Sequence, residues 1–504
     1  MPPRRLVLID IDGLRRDVFT QALAAGALPH LARLLGGADA GAGLHFEPVS
    51  NAPSITFCCQ SSIFTGAHPE QHGIMGNQFF DRFGRRTGGM PRHYAFDVGD
   101  TLAVDDAVRV FTGPAGLIGE TLAPETPTLY EHAAARGLTS TVAFNMIARG
   151  ATHWLKPNLV DIARFTKGGG LLGISAEQYD GQMVAALTAH LRAGARPDVL
   201  TAYFMGLDHH SHEHGPDHQT EYLTRVVDAQ VGGLTAELER AGMFADTLFA
   251  IVSDHGQIGV VADDRHALRL GFPFDREMGY LFDALGLDVH DKPGEGPHCD
   301  AVVACNGGLA HVYLKHRAGA WADPPRFETD VLPVARAFWA AHQTGQHAPD
   351  LLGALALVLV RAVERDGWDA DYRALTPAGQ LVPIAEFLAA HPEIQMVEAA
   401  QRLRHLAAPV SGDVVLAANY AAGFYFGAPL KGVHGGLHPD DSEAVLSLGW
   451  PAGARSEPAQ TAALRAAAQT AVAERCRSEG GRRAGIVDLL PAVMAALGWS
   501  APQG

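Results

Sequence analysis

Three runs of the chain, RLVLIDI at residues 5–11, DVLTAYFMGLD at 198–208 and TLFAIVSDHG at 247–256, share one pattern: an apolar stretch that runs into aspartate. Continuous rather than alternating apolar residues belong to strands covered on both faces, so the runs predict a largely parallel sheet with helices above and below. Asp12, Asp208 and Asp254 would then sit at the C-terminal ends of strands, the edge where open α/β sheets collect their ligands. Helix signals alternate with these runs. A helix over about Asp17–Leu35, interrupted near Gly26 and Pro29, follows the first; TPTLYEHAAARG closes on Gly137; further helices are expected at Ser175–Ala193 and Glu221–Arg240.

A second stretch, NAPSITFCCQSSIFTGAHPEQHGIMGN at residues 51–77, concentrates polar chemistry. Residues Phe57–Phe64 contain no Gly or Pro and can wind into a helix ending at Thr65-Gly66, which predicts Thr56 as its N-cap. Unpaired N–H groups and the positive end of the helix dipole favour an alkoxide and a phosphoryl oxygen there. A threonine alkoxide still needs a metal or a base beside it at neutral pH. Cys58 and Cys59 fall inside the first turn, where nothing nearby lowers a thiol pKa, and are expected to be small buried apolar residues.

Metal ligands are available. The segment DHHSHEHGP at 208–216 is crowded with them, SDHG adds Asp254 and His255, and KGVHGGLHPDD adds His434 and His438 on a Gly-rich loop. Oxygen and imidazole donors without an evident cysteine suit two borderline divalent ions such as zinc. Two ions about 4 Å apart can stabilise both oxygens of an in-line phosphoryl displacement.

The 504 residues allow two to four domains, and 47% hydrophobic with 19% charged residues is an ordinary globular composition. A formal charge of −16 excludes a sequence-independent binder of nucleic-acid polymer, whereas a small phosphorylated substrate is compatible with it through bound cations. Five cysteines, two adjacent, form no disulfide framework; only MPPRR precedes the first strand, and no apolar run of about 18 residues is present. The expectation is a cytoplasmic protein without a membrane span.

The strand and helix rhythm divides the chain into a core over 1–265, an inserted cap or subdomain over 266–408, and a return to the core over 409–504. The insert is expected to hold the KPGEGP loop at 292–297, a GLAHVYL strand and helical stretches at 328–342, 351–363 and 394–407. In the return, GDVVLAANYAAGFYFG predicts a β-hairpin, followed by helices at about 457–475 and at GIVDLLPAVMAALGW, with Pro491 near its first turn. Residues 81–124, rich in Gly and Asp, read as a long excursion over the site.

Five motifs in one order carry a resemblance: D-G-x-R at Asp12–Arg15, T-F-(x)7-T-G-(x)2-P-(x)2-H-G-I-(x)2-N at Thr56–Asn77, D-(x)3-H-(x)2-G-P at Asp208–Pro216, S-D-H-G at Ser253–Gly256 and G-x-H-G at Gly432–Gly435. The chain resembles the alkaline phosphatase superfamily and, within it, the type I phosphodiesterase/nucleotide pyrophosphatase family; D-L-L-P at 488–491 is similar to that family's closing helix. The resemblance implies an alkaline-phosphatase-like α/β core, its mostly parallel sheet sandwiched by helices. It implies one zinc held by Asp208, His212 and His434, and a second held by Asp12, Asp254, His255 and the Thr56 hydroxyl. Thr56 would be the nucleophile, forming a phosphoryl-threonine that water hydrolyses, with the Asn77 amide and the Phe57 backbone N–H on a phosphoryl oxygen. Gln257 stands where many relatives have methionine, and Cys58-Cys59 where many have Pro-Asn. No ligand role falls to His209, His210, His214 or His438.

A phosphomonoesterase of the superfamily needs cations for its dianionic substrate, often a Lys-x-Arg pair near residue 142. This chain has AFNMIARGA there, with Arg149 alone, which favours a phosphodiester or pyrophosphate bond, a nucleotide included. A carbon–phosphorus hydrolase acting on phosphonoacetate is the alternative, because GNQFFD resembles that branch, although the lysines expected for the substrate carboxylate are missing. A sulfatase is excluded by the lack of C-x-P-x-R. A catalytically idle metal-binding protein would have lost a ligand or the nucleophile, and none is lost. Phe57, Phe79, Phe80 and Tyr203 could stack on a nucleobase or simply pack the core.

Overall fold

The Arg5–Ile11 strand lies at the middle of the architecture, paired in parallel with Val199–Phe204 on one side and Thr247–Val252 on the other. The computed structural model describes residues 4–37, 43–97, 104–165, 173–270, 277–290, 293–296, 298–451 and 458–499. Residues 98–103 of the excursion, and Lys292 and Pro297 of the KPGEGP loop, lie outside these. The seven-stranded sheet runs Leu44–Phe46, Leu446–Gly449, Thr247–Val252, Arg5–Ile11, Val199–Phe204, Ser140–Ala143, His153–Leu155. Leu446–Gly449 alone runs against the others: it is antiparallel to both Leu44–Phe46 and Thr247–Val252, and the remaining pairs are parallel.

The apolar runs are continuous because both faces are covered. Leu6 and Leu8 pack with the Thr56–Thr65 and Leu489–Ala496 helices, while Val7, Ile9 and Ile11 face the Arg16–Ala24, Ala176–Arg192 and Asp228–Arg240 helices on the other side. Each side chain so buried contributes about 1.5–3 kcal/mol relative to exposure. The fold is the expected α/β sandwich, including the helix break near Gly26 and Pro29, now Arg16–Ala24 followed by Pro29–Leu34.

A second seven-stranded sheet takes the order Val289–His290, Ala301–Asn306, Leu309–Leu314, Val414–Ala418, Leu355–Val360, Arg373–Leu375, Leu381–Val382. Its Ala301–Asn306 and Leu309–Leu314 strands form a hairpin in which Asn306 faces Leu309 across Gly307-Gly308. Gly307 has φ +63°, the positive value that a two-residue turn of this hand requires at its first position. That turn reaches the segments that carry His434 and Gln78: the Gly308 N–H donates to the His434 carbonyl at 3.0 Å, and the Asn306 Oδ1 accepts from the Gln78 N–H at 3.0 Å.

Several expectations are corrected. Residues 351–363 were expected to be helical, but Leu355–Val360 is a strand, because LALVLV is buried almost throughout and shows no helical period. The 394–407 stretch keeps only a short helix, Ala399–Arg404. The Val414–Ala418 and Tyr425–Phe426 strands do not pair as a hairpin: the first joins the second sheet and the second pairs with Ala267–Leu268. The helix expected at 221–240 is continuous but has a π-helical turn at Leu223–Val227 between Gln219–Tyr222 and Asp228–Arg240. Among the described residues no helix is long and apolar enough to cross a membrane.

Candidate active site

Thr56 opens the Thr56–Thr65 helix, which closes on Gly66 with φ +62°. Ile55, with extended backbone, is the N-cap, so Thr56 is the first helical residue rather than the cap; its side chain bonds outside the helix, with the Oγ1 3.1 Å from His255 Nε2. Cys58 and Cys59 are fully buried, and burial pushes both thiols well above their ordinary pKa, so neither is a nucleophile.

Asp12 follows the central strand directly, and Gly13 turns the chain away with φ +69°. A side chain there is excluded, because a Cβ on Gly13 would stand 2.7 Å from Asp208 Oδ1. Asp208 was expected at a strand end. The strand stops at Phe204, and Asp208 lies in the first turn of the Gly206–His214 helix. Helical spacing puts Asp208 and His212 one turn apart on the same face, with His212 Nε2 3.1 Å from Asp208 Oδ2. Asp254 and His255 follow the Thr247–Val252 strand, and His434 follows the Gly432–Val433 strand.

These residues form two adjoining clusters. In one, Asp208 faces both His212 and His434, whose Nε2 is 3.5 Å from Asp208 Oδ1. In the other, His255 Nε2 is 3.4 Å from Asp12 Oδ1 and 3.5 Å from Asp254 Oδ2, with the Thr56 hydroxyl beside it. Asp12, Asp208 and His255, and separately Asp208, His212 and His434, each bring three ligand atoms within 4.8 Å of one another.

The clusters fit divalent cations on two observations. First, all three histidines place Nδ1 on a backbone carbonyl: His212 on Gly432 at 2.7 Å, His255 on Gly256 at 2.9 Å and His434 on Ser54 at 3.1 Å. A neutral ring that donates through Nδ1 presents its Nε2 lone pair to the site, the tautomer a metal takes. Second, Asp12 Oδ1 and Asp254 Oδ2 are buried with no hydrogen-bond partner, a costly arrangement that a cation removes. Charge crowding is consistent with this. Burial, then the neighbouring Asp254 and Asp208 carboxylates, hold Asp12 well above the usual carboxylate range. Asp208 would also be raised by burial, but His212, His434 and His255 outweigh that and hold it well below. His434 is driven down by burial and by His255.

Three supporting residues had no motif to announce them. Tyr203 donates its hydroxyl to Asp12 Oδ2, so it is a buried positioning group and not a stacking platform. Gln257 donates its Nε2 to the Asp208 carbonyl at 3.0 Å and to Asp208 Oδ1, which gives the departure from methionine a role. Ser54 receives His434 on its carbonyl and joins Gly435 and Gly436 through its hydroxyl. Phe79 and Phe80 are core; of the four aromatic candidates only Phe57 reaches the cavity.

That cavity, about 460 Å³, opens beside Thr56 and Asp208 and is walled by Phe57, Phe96, Phe111, Phe165, Met205 and Phe426. Phe96 and Phe111 come from the 81–124 excursion. Asn77 lies at its edge, its Oδ1 accepting the Phe57 N–H at 3.0 Å. His209 lines the same cavity and pairs with Glu213 at 3.5 Å, while His210 and His214 stack on each other along the helix. His438 bonds Gln395 at 3.2 Å.

A third cluster, His68, His405 and Glu479, has ligand atoms equally close. Arg475 and Arg482 both donate to Glu479, and the two rings stack at 3.7 Å, so this is an ion-pair network in which two guanidinium groups oppose a cation.

The profile of one family, Type I phosphodiesterase / nucleotide pyrophosphatase, matches residues 6–352 of the chain. Among solved structures, human ectonucleotide pyrophosphatase/phosphodiesterase 5 is similar with TM-score 0.55 and 14% identity, over 99% of this chain and 96% of that one. The murine protein of the same name gives TM-score 0.50 and 14% identity over 88% and 87%, both as such and as an inactive variant in complex with AMP.

Proposed function

The chain belongs to the type I phosphodiesterase/nucleotide pyrophosphatase family, and from that premise we propose that it hydrolyses a phosphodiester or pyrophosphate bond of a small substrate through Thr56. The observation that carries this reading is the convergence of the His212, His255 and His434 Nε2 atoms with the Asp12, Asp208 and Asp254 carboxylates in two adjoining clusters, with the Thr56 hydroxyl 3.1 Å from His255 Nε2.

Asp208, His212 and His434 would hold one divalent ion, and Asp12, Asp254, His255 and Thr56 the other, with zinc favoured by the nitrogen and oxygen donor set. Bound there, the ions lower the cost of the alkoxide and of charge on the phosphoryl group. Thr56 attacks phosphorus as its proton leaves to solvent, and the Oγ–P bond forms while the bond to the leaving oxygen breaks. Water then attacks the phosphoryl-threonine, restoring the hydroxyl and releasing the phosphorylated product. The Asn77 amide nitrogen would donate to a phosphoryl oxygen; the Phe57 N–H, expected to join it, instead donates to Asn77 Oδ1 at 3.0 Å and so holds that amide beside Thr56.

The aromatic cavity supports a leaving group with a flat apolar face, and the AMP bound by the murine relative makes a nucleotide the first substrate to test. The five cysteines are all free thiols, four of them buried, which supports a reducing compartment such as the cytoplasm. We read residues 266–408 as a subdomain set into a core of 1–265 and 409–504. The second sheet supports this, although its Val414–Ala418 strand comes from the returning segment.

The test is turnover by the metal-loaded protein of an aryl phosphodiester, a nucleotide diester, an aryl phosphomonoester and phosphonoacetate, with Thr56→Ala as the blank. Preference for the diesters, lost in the variant, together with a phosphoryl adduct on the peptide containing Thr56, is the expected result. Preference for phosphonoacetate would move the chain to carbon–phosphorus cleavage, and zinc binding without turnover of any substrate would make it an idle metal-binding protein.

A further inference from the structure

Asp208 presents both of its oxygens to imidazoles. His212 Nε2 stands 3.1 Å from Oδ2, and His434 Nε2 stands 3.5 Å from Oδ1. A carboxylate turned edge-on in this way can give one oxygen or both to an ion held with the two rings. The neighbours of Oδ1 decide between these. Gln257 donates its Nε2 to Oδ1 and, at 3.0 Å, to the Asp208 backbone carbonyl. On another side the Gly13 backbone packs so closely that a Cβ there would lie 2.7 Å from Oδ1. Both atoms that Gln257 meets on Asp208 are acceptors, so the amide nitrogen must face them and its orientation is defined.

Glutamine is a costly residue to place there. Gln257 is fully buried, and its Oε1 has no hydrogen-bond partner. That oxygen lies against the Gly432 backbone, where a Cβ would stand 2.7 Å from it. A buried amide oxygen left unpaired carries the desolvation penalty of the group with nothing to offset it. The methionine that many relatives have would fill a similar space without that penalty. What glutamine has and methionine lacks is the N–H on Asp208.

We propose that Gln257 makes Asp208 a one-oxygen ligand: it engages Oδ1, leaves Oδ2 to join His212 and His434, and so keeps a fourth position on the first ion free of protein atoms. The proposal rests on the reading of Asp208, His212 and His434 as ligands given above. Three protein donors with one open position is the arrangement of catalytic zinc, and a second carboxylate oxygen would occupy that opening. Gln257 acts through Asp208 and is a positioning residue.

The experiment uses the Asp254→Asn protein loaded with one equivalent of cobalt(II), so that the visible spectrum reports the first ion alone. X-ray absorption of the same protein holding one zinc counts its donors independently. Gln257 is compared with Gln257→Met and Gln257→Leu in that background. With Gln257 in place, the intense visible band of four-coordinate cobalt and about four zinc donors are expected. Both variants should lose that intensity and gain about one donor. With Asp254 restored, Gln257→Met should keep both zinc equivalents and lower kcat for an aryl phosphodiester on the order of 10- to 100-fold. A five-coordinate ion with Gln257 already present, which needs no variant of Gln257 to fold, or spectra unchanged in both variants, would overturn the proposal. An Asp254→Asn protein that holds no ion would overturn the ligand assignment and the proposal with it. A four-coordinate first ion in a wild type that turns over no diester would overturn the hydrolase reading and leave the role of Gln257 standing.

Discussion

His255 and His434 stack ring on ring, centroids 3.7 Å apart and planes at 15°, yet their Nε2 atoms face different carboxylates, Asp12 and Asp254 for one and Asp208 for the other. Two imidazoles at that separation are poor hosts for two protons and good ones for two cations shared with carboxylates. The protein is therefore expected to bind two zinc equivalents per chain by elemental analysis. His434→Ala or Asp254→Asn should reduce this to about one, and chelation should lower the melting temperature of the wild type.

Removing the Asn77 amide should reduce kcat for the diester on the order of 10²- to 10³-fold, the scale of one lost transition-state donor. Metal content should be unchanged, because Asn77 bonds Phe57 and Asp97 and no ligand residue. Parallel loss of metal in Asn77→Ala would show that its role is structural.

Tyr203→Phe leaves the buried ring in place and deletes only the hydroxyl that supports Asp12. Such outer partners are typically worth about 10- to 100-fold in metal affinity or activity. Competition with a chromogenic chelator should show weakening on that scale, with little change in the far-ultraviolet spectrum.

Gly13→Ala asks the backbone to carry a Cβ at φ +69°, pressed against the Asp208 carboxylate. A loss of at least about 1 kcal/mol of stability is expected from denaturant titration. Diesterase activity should fall with it, because the displaced carboxylate is a proposed ligand.

Asp180 supplies a pH-dependent term away from the site. Burial raises it from 3.8 to about 7, against hydrogen bonds from the Gly206 N–H and the Tyr222 hydroxyl. Between those values the folded chain holds a proton that the unfolded chain has released, so this contribution is present at low pH and is lost as pH rises through about 7. Asp180→Asn keeps an oxygen for Gly206 and can donate to Tyr222. It should therefore melt higher than the wild type at pH 8, with the difference shrinking toward pH 4.

The parts of the site legible in the sequence were those written locally. Asp12 and Asp254 close buried parallel strands, and such strands are unbroken apolar runs, so the acid that ends each one stands out. Asp208 and His212 were visible as candidate ligands, but their helix was not, because DHHSHEH has no apolar face to betray a period. Tyr203, Gln257 and Asp97 act through partners 191, 49 and 20 positions away, and no spacing rule reaches them. The second sheet was hidden for a related reason: Leu355–Val360 is as rich in Ala and Leu as a helix, and its partners Val414–Ala418 and Arg373–Leu375 come from elsewhere in the chain.

The Gly307-Gly308 turn pressed on the His434 carbonyl has a consequence for how the protein comes to be made. A ribosome delivers Asp12, Thr56, Asp208, His212, Asp254 and His255 long before it delivers either the hairpin or the loop it braces. Until residue 434 has emerged and the hairpin has closed on its loop, one of the two proposed ions would lack a ligand and the other would lack the ring that stacks on its histidine. Ion uptake is thus expected to be among the last steps of maturation, and a nascent chain stalled before the second sheet should be unable to hydrolyse its substrate however well its first sheet has formed.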